Sequence, residues 1–181
     1  MSGVSVKENI VAMTLKVDAC IRRISEVIVV ATAGVMLVTL AVNVLMRYLM
    51  HGGGISWFAE LPSLLFPWMI AAGIILAVQQ GAHIAIDLLR DMLPTGGKRV
   101  LAVLVNLLLV LSYGILFSAL LEMIEIVSIE RSALLNVSAS WPYSAMAFAA
   151  FCVALCCLTI SLRIMLKDID AAHAYKAEEA H

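Results

Sequence analysis

Four uncharged apolar runs leave this chain few folds: Val27–Met46, Leu61–Ala82, Val100–Leu121, and a last one that starts near Pro142 and ends at Leu162. A helix crosses the ~30 Å hydrocarbon core with about 20 residues at ~1.5 Å rise each, and every run meets that length. Inside lipid the backbone must satisfy its own hydrogen bonds, which a helix does within a single segment. The sequence therefore predicts an all-α integral membrane protein, one membrane domain over 1–181. Its spans fall at 24–46, 57–81, 99–124 and 142–163, with a tail over 164–181. The hydrophobic share, 63%, lies well above the about 45–50% of an ordinary soluble domain. The first run begins too far along the chain, and is too long, for the core of a signal peptide, so it reads as an uncleaved anchor.

The cations set the orientation, because Lys and Arg are retained on the cytoplasmic side during insertion while acids count for little. Ten of the twelve Lys and Arg residues fall on one face of the predicted layout: Lys7, Lys16, Arg22, Arg23, Arg90, Lys98, Arg99, Arg163, Lys167 and Lys176. Only Arg47 and Arg131 fall on the other. Both termini and the middle loop are expected in the cytoplasm, and two loops outside. The net charge of −1 gives no reason to expect nucleic acid as a partner.

Two segments outside the spans are patterned as interfacial helices. Val6, Ile10, Met13, Val17, Cys20 and Ile24 recur at helical spacing, with Lys7, Glu8, Lys16, Asp18 and Arg22 off that stripe, so 6–23 is expected to be an amphipathic N-terminal helix. Such a helix lies along headgroups or packs on a partner protein. A second amphipathic stretch spans 83–93 between the second and third spans, and Pro94-Thr95-Gly96-Gly97 ends it.

Chemistry is sparse. Ionisable groups deep in a bilayer are expensive and mark function, and the four spans are nearly free of them. His51, His83, His173 and His181 all lie outside the apolar runs, which argues against axial haem ligation between helices. No His-Glu metal motif, nucleophile elbow or phosphate loop appears, so the chain is expected not to be an enzyme and to carry no cofactor of its own. Cys20, Cys152, Cys156 and Cys157 lie in the fourth span or on the cytoplasmic side, where they read as packing residues rather than disulfides.

Several residues stand out as structural or interface candidates. Gly73, Ala77 and Gly81 form a small-residue stripe that admits a second helix at close range, and Pro67 interrupts the same span. Trp57 and Trp141 fit an outer aromatic belt. Glu60, just inside the second span, lacks a local partner and is placed to pair with Arg47 across the hairpin. Glu122 and Glu125, one turn apart, read as a solvated helix end, with cation binding as the alternative. Asn43, Asn106, Ser112, Ser118 and Thr159 are expected to bond between helices or, alternatively, to line a path.

Three motifs together resemble a known family. Asn43-Val44-Leu45-Met46-Arg47-Tyr48, then Ile55-Ser56-Trp57-Phe58-Ala59-Glu60-Leu61, then Gly81-Ala82-His83-Ile84-Ala85-Ile86-Asp87-Leu88-Leu89 with Leu93-Pro94 are similar to the small membrane subunit of tripartite ATP-independent periplasmic (TRAP) transporters, the DctQ-like family. The resemblance covers about residues 20 to 168 and is sharpest from Asn43 to Pro94. Where that family usually has two adjacent acids, this chain has Ala59 before Glu60, and where it tends to carry a basic residue before the glycine, this chain has Gln79 and Gln80.

The resemblance implies a scaffold subunit of a bacterial or archaeal inner-membrane importer. A large polytopic subunit would hold the organic acid and sodium, and a periplasmic binding protein would deliver the acid. It leaves Arg47, Trp57, Glu60, His83 and Asp87 as matching positions, and Glu122, Glu125, Glu130 and Arg131 as candidates for docking the periplasmic protein. The rival readings are a self-sufficient homo-oligomeric channel or small transporter, and an anchor protein of a respiratory complex.

Overall fold

The computed structural model describes residues 2–49, 56–80 and 95–166. Four helices account for almost all of them: α1 (Ser2–Leu49), α2 (Ser56–Gln79), α3 (Thr95–Val127) and α4 (Ser140–Leu166). All four are long and apolar enough to cross a membrane. The expected interfacial helix at 83–93 and the tail beyond Leu166 lie outside the described residues, as do Gly81, His83 and Asp87.

The N-terminal amphipathic stretch and the first span are one uninterrupted helix, α1. No proline or glycine occurs between Val4 and Ala33 to break it, so the backbone ladder continues from one segment into the next. Its inward face is small and polar: Thr14, Asp18, Ser25, Thr32 and Thr39 are all buried. Thr14, Thr32 and Thr39 satisfy their hydroxyls on carbonyls of their own helix, at Val11, Ile28 and Val35. Short side chains let α1 approach its neighbours closely, which is how membrane helices gain contact when lipid is as apolar as leucine. The large apolar side chains point outward; Val30 and Leu37 are both 72% exposed on the protein surface.

α4 is the centre of the assembly and touches each of the other helices. Ala145, Ala149, Cys152, Val153 and Cys157 form the main core with Ala71 and Ile75 of α2, and Trp68 and Phe148 close over it. The other side of α4 offers Ala147 and Ala150 to Leu120, Tyr113, Phe117 and Ile124 of α3. Those α3 residues are spaced four, three and four apart, one helical stripe, and among the described residues no other helix touches α3. The result is a compact trio of α1, α2 and α4 with α3 flanking α4, so most of α3's circumference is free. α2 runs unbroken through Pro62 and Pro67.

Short-range polar bonds seat the start of α4. The Ser138 hydroxyl accepts the Ser140 amide at 3.2 Å as a capping oxygen, and the Ser140 hydroxyl donates to the Ile124 carbonyl of α3 at 3.0 Å. Pro142 follows in the first turn, where its missing N–H leaves no bond unmade.

Candidate functional site

Two polar clasps bond between elements of the fold, one toward each end of the bundle. Toward the end of the bundle where α4 finishes at Leu166, Asp18 of α1 is the hub. Arg163 Nη2 donates to Asp18 Oδ2. Thr159 Oγ1 lies 2.8 Å from both Asp18 Oδ1 and the Cys156 carbonyl, so its one proton is shared between them. From α2, Gln79 Nε2 donates to the Asp18 carbonyl at 3.0 Å and approaches Cys156 Sγ at 3.4 Å. Side chains of α1, α2 and α4 thereby meet at one point. Taking a carboxylate out of water is tolerated only with a close counter-charge and hydrogen bonds on both oxygens, and Asp18 has both.

This arrangement corrects the sequence expectation for Asp18. The sequence places it among charged residues off the apolar stripe, and in the structure it is only 6% exposed and bonded to both α2 and α4. Arg22, from the same charged set, is half-buried and pairs with Glu26 one turn on, at 2.9 Å. Thr159 makes the interhelical bond expected of it, and its partner is a carboxylate.

At the opposite end, Glu60 holds the α3–α4 connection. That connection is a miniature hairpin: the Ser132 amide donates to the Val137 carbonyl at 2.9 Å, and the Ala139 amide to the Glu130 carbonyl at 3.0 Å. The turn passes through Asn136 at a φ of 54°, a left-handed conformation that asparagine tolerates. Arg131 Nη1 donates to the Asn136 carbonyl at 3.2 Å. The tip presents two successive amides, Leu134 and Leu135, and both donate to Glu60 Oε2, at 3.1 and 2.9 Å. Consecutive N–H groups form an anion-binding concavity, and the carboxylate of α2 fills it.

The expected Glu60–Arg47 pair is therefore replaced. Arg47 is exposed at the end of α1 and makes no ion pair with Glu60 among the described residues. Trp57 is 41% exposed and stacks at 4.1 Å on Phe58, while Trp141 reaches inward to Trp68 at 5.2 Å. Glu122, Glu125, Glu130 and Arg131 are exposed around the end of α3 and the hairpin. On α2, a side-chain carbon added at Gly73 would meet nothing within 4 Å and Ala77 is exposed, so these two small residues face away from the other three helices. Among the described residues no group of three or more His, Cys, Asp or Glu is arranged to hold a metal ion.

A model of the family described as tripartite ATP-independent periplasmic transporters, DctQ component, matches residues 35–167. The chain belongs to this family. The match covers α2, α3 and α4 and the last third of α1, hence Glu60, its hairpin, Gln79, Thr159 and Arg163; Asp18 lies before it. Two relatives each match about three quarters of this DctQ-family chain. One is the uncharacterized protein y4mM of Sinorhizobium fredii, 34% identical over 138 residues, 76% of this chain but 26% of that protein. The chain thus spans about a quarter of that relative's length. The other, from Haemophilus influenzae, is provisionally named a TRAP transporter small permease protein; it is 21% identical over 139 residues, 77% of this chain and 84% of that protein. A DctQ component is part of a transporter, and four apolar helices make this one a multi-pass membrane protein.

Proposed function

We propose that this chain is the small, fixed membrane subunit of a TRAP-type secondary transporter that imports an organic acid with sodium. It works with a large polytopic membrane subunit and a periplasmic substrate-binding protein, in a bacterial or archaeal inner membrane with both termini cytoplasmic. The carrying observation is the family match over residues 35–167. The bonds of Asp18, Gln79 and Glu60 support it: each of these side chains ties one helix to another element of the fold. Transporters that carry a solute across place broken helices and ion ligands at midplane. The described helices are continuous. Sodium and the organic acid are therefore assigned to the large subunit.

Within this reading the outward stripe of Gly73 and Ala77, continued by Gly81, is where a helix of the large subunit seats closely. The flank of α3 offers a second broad apolar face. The hairpin, together with Arg47, Trp57, Glu122, Glu125, Glu130 and Arg131, is the surface offered to the periplasmic protein, and His83 and Asp87 belong to the opposite, cytoplasmic face. Uptake in cells that depend on the complex tests the proposal. Deleting this chain is expected to abolish uptake while the large subunit and binding protein are still made, and re-expression to restore it. Wild-type uptake from those two components alone would contradict it.

A further inference from the structure

The terminal clasp fixes the rotation of α1 as well as its position, and this decides what the back of that helix faces. At about 100° per residue, Lys16 lies about 160° and Arg23 about 140° around α1 from Asp18, close to diametrically opposite. Both are exposed, and neither has an ion-pair partner among the described residues. Around them the outward face carries Ala12, Met13, Ala19, Cys20, Val27 and Val30, with Met13 70% exposed. Of the two acids between residues 9 and 30, Asp18 is turned inward, and Glu26, about 80° around the helix from Asp18 at the edge of this face, is paired with Arg22.

The depth of these two cations follows from the same clasp. Arg163 directly follows the last apolar run, so the Asp18–Arg163 pair marks the boundary of the hydrocarbon. Along the helix axis Lys16 stands about 3 Å to the headgroup side of Asp18 and Arg23 about 7.5 Å to the hydrocarbon side, from where its long stem reaches back toward the boundary. Headgroups occupy a zone of roughly 5–7 Å beyond each side of the hydrocarbon. Two cations one above the other on an apolar face, within reach of that zone through long flexible stems, complement a row of lipid phosphates.

We infer that the outward face of α1 around Lys16 and Arg23 is a binding surface for anionic phospholipid headgroups, with Met13, Cys20 and Val27 against the acyl chains. The clasp supplies the specificity: it prevents α1 from rolling these cations toward the protein.

The test uses the full chain, with any subunits that accompany it, in nanodiscs of phosphatidylcholine containing a minor fraction of phosphatidylglycerol. The lipid retained on the protein is then counted by native mass spectrometry. Phosphatidylglycerol is expected to be enriched, by roughly fivefold for each cation, and the enrichment is expected to shrink in high salt. The double variant K16Q/R23Q should lose most of it while melting at the wild-type temperature, since both side chains are exposed. Equal enrichment in the double variant would overturn the inference. So would cross-linking in native membranes that captures Lys16 predominantly on another protein, because that protein would then cover the face.

Discussion

Replacing Arg163 by glutamine is expected to destabilise the detergent-solubilised protein by roughly 2–4 kcal/mol, read from its thermal unfolding. The figure sits below that for a fully enclosed pair because the Arg163 side chain retains 16% exposure, against 8% for Asp18. Without the guanidinium, Asp18 keeps the Thr159 hydroxyl and loses its only counter-charge among the described residues. The clasp joins α1, α2 and α4 at one point, so its loss should loosen the first half of α1 rather than a single contact. The double variant D18N/R163Q should recover part of the lost stability: an asparagine still accepts the Thr159 proton and leaves no bare charge behind. A change within about 0.5 kcal/mol for R163Q, the range of an ordinary surface substitution, would show that the pair is solvated and that the helices are held by packing alone.

Glu60→Ala is expected to release the outer hairpin and to impair uptake by the complex. Leu134 and Leu135 would lose the acceptor they share, so hydrogen exchange at these two amides should accelerate while amides in the middle of α3 and α4 keep their protection. Glu60→Gln retains an acceptor oxygen without the charge, and should fall between Ala and wild type in exchange and in uptake. Ordered exchange at Leu134 and Leu135 in the alanine variant would mean that the Ser132–Val137 and Ala139–Glu130 bonds hold the loop by themselves. Normal uptake with a loosened hairpin would remove this loop from the functional surface.

The four helices were legible because apolar runs of bilayer length are a signal local to each segment. The two clasps were not, for different reasons. Asp18 was judged by its place beside an apolar stripe, and its partner is 145 residues away. The recurrence of Thr14, Asp18, Ser25, Thr32 and Thr39 at intervals of four, seven, seven and seven was the available clue. In water a row of small polar residues faces solvent, whereas in a membrane protein it turns inward. Glu60 was singled out correctly as a carboxylate in need of a partner, and the nearest arginine was the natural assignment. Its actual partners are backbone amides 74 and 75 residues further on, and a backbone amide leaves no trace in residue identity. Thr159 bonds between helices, as its place in an apolar span suggests, and only the identity of its partner, Asp18, is not written in the local sequence.

Affinity purification of this chain from its native membrane in mild detergent, with mass spectrometry of what accompanies it, tests the central claim most directly. A scaffold subunit is expected to bring down a large polytopic membrane protein in a fixed ratio, and to do so less well when Gly73 is replaced by a bulky residue such as leucine. A stable homo-oligomer recovered without any partner would contradict the account.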